Sequence, residues 1–142
     1  MRSLDDPDHF AKVLSIEVPW AHSYADMRPG KTDVERRENY RNAAVGRVIA
    51  LPSWPLWFAF RIRVRKANRP LDVDNVEKTI IDAFCMRQIV ADRSAHIELG
   101  LYPDDTFDHV RLLQVTGARS ALTDSTRIEV FACINSLPDE EP

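Results

Sequence analysis

Four charged residues within an eleven-residue segment form the part of the sequence best suited to catalysis. Asp72 and Asp74 lie two residues apart, Lys78 follows Asp74 by four residues, and Asp82 follows Lys78 by four. Side chains four residues apart are neighbours on the surface of a helix. Asp74, Lys78 and Asp82 are therefore predicted to lie on nearly the same helical face.

Hydrolysis of a phosphodiester is the chemistry that this combination of residue types fits. The reaction needs an activated water and positive charge near the phosphate oxygens, and Mg²⁺ supplies both. Mg²⁺ prefers a few carboxylates together with water and phosphate oxygens, and a neighbouring lysine stabilises the charge that develops on the phosphate. Asp72 and Asp74 are thus candidate metal ligands, and Lys78 is a candidate phosphate-binding residue.

A purely structural interpretation explains the same spacing. Asp74 with Glu77, or Asp72 with Asn75, is typical of a helix N-terminus. Asp74, Lys78 and Asp82 could also form an exposed ladder of ion pairs. Spacing alone favours this interpretation. An EF-hand is excluded, because the third ligand, the glycine and the distal glutamate of that loop are missing.

The elements around these residues indicate an α+β protein. Residues 12–18 and 56–66 predict strands, and the second alternates apolar residues with arginines at a period of two. Thr32 followed by Glu35 is a capping box that predicts a helix to about Ile49. Residues 73–86 predict a second helix with an apolar face.

The C-terminal half completes the prediction. Residues 88–102 show no clear period, although Ile97 and Leu99 suggest a short extended piece. Residues 103–105 predict a turn, and residues 109–116 and 126–134 predict two more strands. This order favours a single compact α+β domain over residues 1–135, with a small mixed sheet flanked by two main helices. The tail at 136–142 is acidic and predicted to be disordered.

The charge distribution suggests an anionic partner despite a net charge of −3. Residues 28–69 contain eleven basic residues and three acids, which could form a local phosphate-binding face. The candidate DNA-binding residues are those in and after the second strand, namely Arg61, Arg63, Arg65, Lys66 and Arg69. A sheet with one solvated face shows the same pattern without any binding function.

Membrane and export classes are disfavoured by the sequence. The longest uncharged apolar run, residues 48–60, is interrupted by Pro52 and Pro55 and is too short for a span of about 20 residues. The N-terminus carries acids where a signal peptide needs a basic start. We therefore expect a cytoplasmic protein, in which Cys85 and Cys133 stay unpaired.

The run Arg69-Pro-Leu-Asp-Val-Asp-Asn-Val-Glu-Lys-Thr-Ile-Ile-Asp-Ala-Phe84 resembles the D-x-D-N-x-x-K-x-x-x-D-A signature of the RusA family of Holliday-junction resolvases, of the prophage type. The Asp104-Asp105 pair resembles the family's second acidic block. The predicted strand ending at Val18-Pro19-Trp20 is similar to its opening strand. The resemblance covers residues 12–134, and only the first block is specific.

This resemblance implies a Mg²⁺-dependent endonuclease that resolves four-way junctions by paired symmetric nicks during DNA recombination and repair. It implies metal binding by Asp72, Asp74 and Asp105, and a catalytic role for Lys78. Asn75, Asp82 and Asp104 would support these residues without binding the metal. It also implies a homodimer, whose two-fold symmetry matches that of the junction.

The sequence alone leaves one site residue and two alternative functions undecided. The interval from Asp72 to Asp105 is longer than in compact family members, so Asp92 or Glu98 could be the third carboxylate instead. A non-catalytic branched-DNA-binding protein with the same fold is the alternative function. A structural protein without a DNA role would leave the acids to serve as helix caps.

Overall fold

The computed structural model describes residues 3–21, 33–50, 57–67, 77–120 and 122–135. Its elements follow in the order β1 (Phe10–Val18), α1 (Asp33–Ala44), β2 (Trp57–Lys66), α2 (Glu77–Ala83), α3 (Met86–Ala91), a 3₁₀ turn (Ile97–Leu99), β3 (Val110–Arg119) and β4 (Ser125–Cys133). The predicted capping residue Thr32, the tail at 136–142 and the sequence Asp72 to Asn75 lie outside the described residues.

The strands form one mixed sheet in the order β1-β4-β2-β3. Neighbours β1 and β4 are antiparallel, as are β4 and β2, whereas β2 and β3 are parallel. A parallel pair needs a long crossover connection, and the chain that contains α2 and α3 supplies it. The predicted single α+β domain with a small mixed sheet is confirmed.

The helices pack against one face of the sheet. The alternation seen in β2 places Phe60, Ile62 and Val64 on that face, where they are buried together with Tyr40 of α1 and Ile80 of α2. The opposite face, which we call the outer face, carries the arginines of β2. Where β1 and β2 begin, this outer face is covered by a smaller apolar cluster, whose buried members are Leu4, Phe10, Trp57, Ala59, Phe131 and Cys133.

Several boundaries differ from the sequence predictions for identifiable reasons. Helix α1 ends at Ala44 rather than near Ile49, because Gly46 has a φ of 74° and Ile49 then donates a backbone hydrogen bond to Val13 of β1. The expected extended piece at Ile97 and Leu99 is wrong, since these residues form a 3₁₀ turn.

The predicted second helix is interrupted after Ala83. Cys85 adopts an extended conformation with a φ of −88° and a ψ of 124°, and it forms an isolated parallel bridge with Tyr102. Helix α3 then begins at Met86. Both Cys85 and Cys133 are free and buried. In the part of the chain that the structure describes, no helix has the length and apolar character needed to cross a membrane.

Candidate active site

Helix α2 supplies the basic centre of the candidate site. Lys78 lies in its first turn and Asp82 one turn later, and the Lys78 Nζ is 3.2 Å from Asp82 Oδ2. The i,i+4 neighbourhood predicted for these two residues is therefore present. Asp72, Asp74 and Asn75, the other members of the predicted block, lie outside the described residues.

Asp105 lies beside the same lysine although it comes from a distant part of the chain. Its Oδ2 atom is 3.9 Å from Lys78 Nζ. Burial raises the pKa of Asp82; the ammonium of Lys78 opposes this effect, and the charge of Asp105 adds to it. The raised pKa of Asp82 indicates that the effect of burial is larger than that of the Lys78 ammonium.

Residues 84–103 leave α2 and return to it as a segment closed by hydrogen bonds at both ends, and this return brings Asp105 to α2. At its two ends Leu101 N–H donates to the Phe84 carbonyl at 3.0 Å, and Met86 N–H donates to the Tyr102 carbonyl at 2.8 Å. The buried Tyr102 also donates its hydroxyl hydrogen bond to the Ile81 carbonyl of α2. Residues 84–103 therefore return the chain to α2 and leave Asp105 beside Lys78.

Arg87 is a member of this cluster that the sequence did not single out. Its Nη2 atom is 3.1 Å from Asp104 Oδ1 and 3.6 Å from Asp105 Oδ1. Asp104 accepts a hydrogen bond from the Asp105 N–H at 2.8 Å, and this bond lowers the pKa of Asp104, assisted by the charge of Arg87. Arg87 lies in the first turn of α3, which begins at Met86 because the chain breaks at Cys85, so no periodic pattern pointed to it.

The two alternative third carboxylates have other surroundings. Asp92 accepts hydrogen bonds from Arg37 at 2.7 and 2.8 Å and from Gln88 at 2.8 Å, and it lies 3.0 Å from Arg41. Burial alone would raise its pKa, but these bonds outweigh burial and lower the pKa to about 2. Glu98 is exposed and lies 3.6 Å from His96 Nδ1. Asp105 is the one of the three that faces Lys78 at the end of α2.

The basic residues of the sequence do not form one surface. Arg36 and Arg41 of α1 are buried, and Arg37 is held by Asp92. The phosphate-binding face expected from residues 28–69 therefore does not include Arg36, Arg37 and Arg41 of α1. Arg41 is held in the interior by the Asp92 carboxylate and by the Ala83 carbonyl, to which its Nε donates at 2.7 Å.

The candidate DNA-binding residues of β2 fall into two groups. Arg61 is held by Glu129, at 2.8 and 3.0 Å, and by Asp5. Lys66 donates to the Ala21 carbonyl at 2.8 Å and lies 3.4 Å from Asp124. By contrast Arg63 and Arg65 are exposed. Arg69 lies outside the described residues.

The described residues alone do not complete a metal site. Within the ranges given above, no group of three or more His, Cys, Asp or Glu side chains is arranged to hold a metal ion. Asp82 and Asp105 place carboxylates beside Lys78, and carboxylate is a donor type that Mg²⁺ prefers. Comparisons of the chain with protein-family models, with curated proteins and with solved structures found no match.

Proposed function

We propose that this protein is a Mg²⁺-dependent endodeoxyribonuclease that cuts branched DNA, with the four-way junction as its substrate and a homodimer as its working form. The observation that carries the proposal is the position of Asp105 beside Lys78, 3.9 Å away, although the two belong to separate segments. Helix capping or a surface ladder of ion pairs would explain the spacing of Lys78 and Asp82. Neither explains why Asp105, which follows residues 84–103, lies beside Lys78.

The metal would be held by Asp72, Asp74 and Asp105. When bound there, Mg²⁺ supplies an activated water and neutralises charge on the phosphate. Asp105 suits this role because its side chain is 27% exposed and therefore accessible to an ion. Asp82 is 13% exposed and its pKa is raised, so it is better suited to orienting Lys78 than to binding the metal.

Two cations next to these acids would bind the substrate. Lys78 and Arg87 are 57% and 68% exposed, so both can reach a phosphate outside the protein. A positive group fixed beside the scissile phosphate stabilises the charge that develops in the transition state. The carboxylates of Asp82 and Asp105 lie 3.2 and 3.9 Å from Lys78 Nζ and limit its movement.

Cleavage of a labelled mobile four-way junction tests the proposal. We expect wild-type protein to make paired symmetric nicks with Mg²⁺ and none with EDTA, and we expect Asp74→Asn and Asp105→Asn to abolish cutting while junction binding persists. Glu98→Gln, which removes an exposed carboxylate, is the matched control and should cut normally. Sedimentation of the wild type should report a dimer.

Two results would contradict the proposal in different ways. Tight junction binding without cutting, equal in wild type and Asp74→Asn, would establish the non-catalytic binder instead. Failure to bind any branched DNA at low salt would remove the nucleic-acid function altogether. Loss of cutting in Glu98→Gln, with Asp105→Asn active, would move the third metal ligand to Glu98.

A further inference from the structure

Among the residues that the structure describes, three arginines on the outer face of the sheet lack the partners that neutralise their neighbours. Arg63 and Arg65 of β2 and Arg127 of β4 are exposed, and we call them the arginine surface. Within the described parts of the chain they make no ion pair. Two residues away, Arg61 on the same face is held by Glu129 and Asp5. Along β2 the outer face therefore changes from an ion-paired arginine at position 61 to arginines at positions 63 and 65 that make no ion pair within the described residues.

The register of β2 and β4 explains this change. Arg61 lies opposite Glu129, whereas Arg63 lies directly opposite Arg127. Like charges directly opposite each other on neighbouring strands are destabilising. Thr116 of β3 lies beside Arg63 on the other side and is exposed, and Glu17 of β1 lies beside Arg127. An anion placed over this row would relieve the repulsion between the two arginines.

The arginine surface and the candidate active site are on opposite faces of the sheet. Ile80 and Ala83 of α2 pack into the core together with Ile62 and Val64, which face away from Arg63 and Arg65. Successive side chains of a strand point to opposite faces. A phosphate held by Lys78 therefore cannot also be held by the arginine surface.

We infer that Arg63, Arg65 and Arg127 bind the phosphates of a DNA segment other than the one that is cut. This inference rests on the proposed function, since it assumes a branched substrate with more than one arm. Exposed arginines spaced along and across a sheet present several donors at once, and Arg binds phosphate oxygens in a bidentate manner. Arg61 is excluded from this role, because its guanidinium is already occupied by two carboxylates.

Charge reversal at the centre of the surface provides the test. Arg63→Glu places an acid opposite Arg127, so the variant should unfold at the same or a higher temperature than the wild type. Its affinity for a four-way junction should fall about tenfold, and the slope of log affinity against log salt should decrease by about one for each phosphate that the variant no longer binds. Arg127→Gln should show a smaller loss in the same direction.

The matched control is Arg47→Glu. Arg47 is exposed just after α1, so this variant changes the net charge equally while leaving the arginine surface intact. It should bind the junction with nearly wild-type affinity and salt dependence. If Arg63→Glu and Arg47→Glu bind equally well, the inference is wrong.

The assay separates this inference from the proposed nuclease function. Junction affinity is measured in the presence of EDTA, so the effect of Arg63→Glu on binding is read separately from cutting. A reduced maximal rate with unchanged affinity would overturn the inference and leave the nuclease intact. Wild-type protein that binds but does not cut, with binding still weakened by Arg63→Glu, would refute the nuclease and retain the arginine surface.

Discussion

Replacing Glu129 with glutamine removes the central acid of an ion-pair network on the outer face. Glu129 is buried and accepts hydrogen bonds from Arg61 at 2.8 and 3.0 Å, and Lys12 Nζ lies 2.8 Å from it. The hydrogen bonds from Arg61 are the main cause of a pKa lowered from 4.5 to about 2, with burial opposing and Lys12 assisting.

The size of the effect is set by the difference between the folded and unfolded pKa. Each pKa unit corresponds to about 1.4 kcal/mol, so a carboxyl lowered from 4.5 to about 2 stabilises the folded protein by about 3 kcal/mol at pH 7. Because the folded pKa is the lower one, this stabilisation is complete above the unfolded pKa. It is lost as the pH falls through the folded pKa.

Urea unfolding followed by circular dichroism at pH 7, 5, 4 and 3 measures the effect. Glu129→Gln keeps some hydrogen bonding to Arg61, so we expect it to be less stable than the wild type by about 2 kcal/mol at pH 7. The difference should shrink steadily below about pH 4.5. Glu17→Gln, at an exposed position on β1, is the control and should show little difference at any pH.

A difference that stays constant from pH 7 to pH 3 would refute this reasoning, because it would attribute the loss to shape or hydrogen bonding and not to charge. A loss below about 0.5 kcal/mol at pH 7 would also refute it, since surface ion pairs alone account for that much.

Three further predictions concern single residues elsewhere. Asp92→Asn should cost about 3 kcal/mol in urea unfolding, because it removes the 3.0 Å ion pair of the fully buried Arg41 and leaves Glu38, at 3.4 Å, as its carboxylate partner. Burial raises the pKa of Asp82, so ionised Asp82 destabilises the folded state at pH 7. Asp82→Asn should therefore be at least as stable as the wild type at pH 7. The difference in stability should disappear as the pH falls towards 3.8, where Asp82 of the wild type becomes protonated. Gly46→Ala should lower stability by about 1 kcal/mol in the same assay, because the φ of 74° is strained for alanine while no atom lies within 4 Å of the added methyl group.

The parts of the fold that could be predicted from the sequence are those whose pattern is local. The alternation in β2 was visible because one face packs under helices while the other carries arginines. The order of strands and helices followed from such patterns. Residues 88–102 could not be assigned, because their short helix and 3₁₀ turn are held by contacts distant in sequence, such as Arg37 with Asp92.

Of the candidate site, too, only the part that depends on local spacing could be predicted from the sequence. Lys78 and Asp82 could be paired from their spacing, since helical neighbours are fixed by local geometry. The approach of Asp105 was implied only by a family resemblance, and that of Arg87 by nothing in the sequence, because both depend on how the chain returns to α2. The burial of Arg36 and Arg41 could not be predicted from the sequence either, since charged residues in a helix usually face solvent.

The closed segment at residues 84–103 can tolerate insertions and deletions. Its ends are joined by the bonds of Leu101 to Phe84 and of Met86 to Tyr102, so residues inserted or deleted between them change a loop whose closure is already fixed. Doubling such a loop costs only about 0.6 kcal/mol in closure entropy. Provided that Asp92 keeps its arginine partners and that Ile89 and Leu99 stay in the core, this segment can change in length while Asp105 stays beside α2.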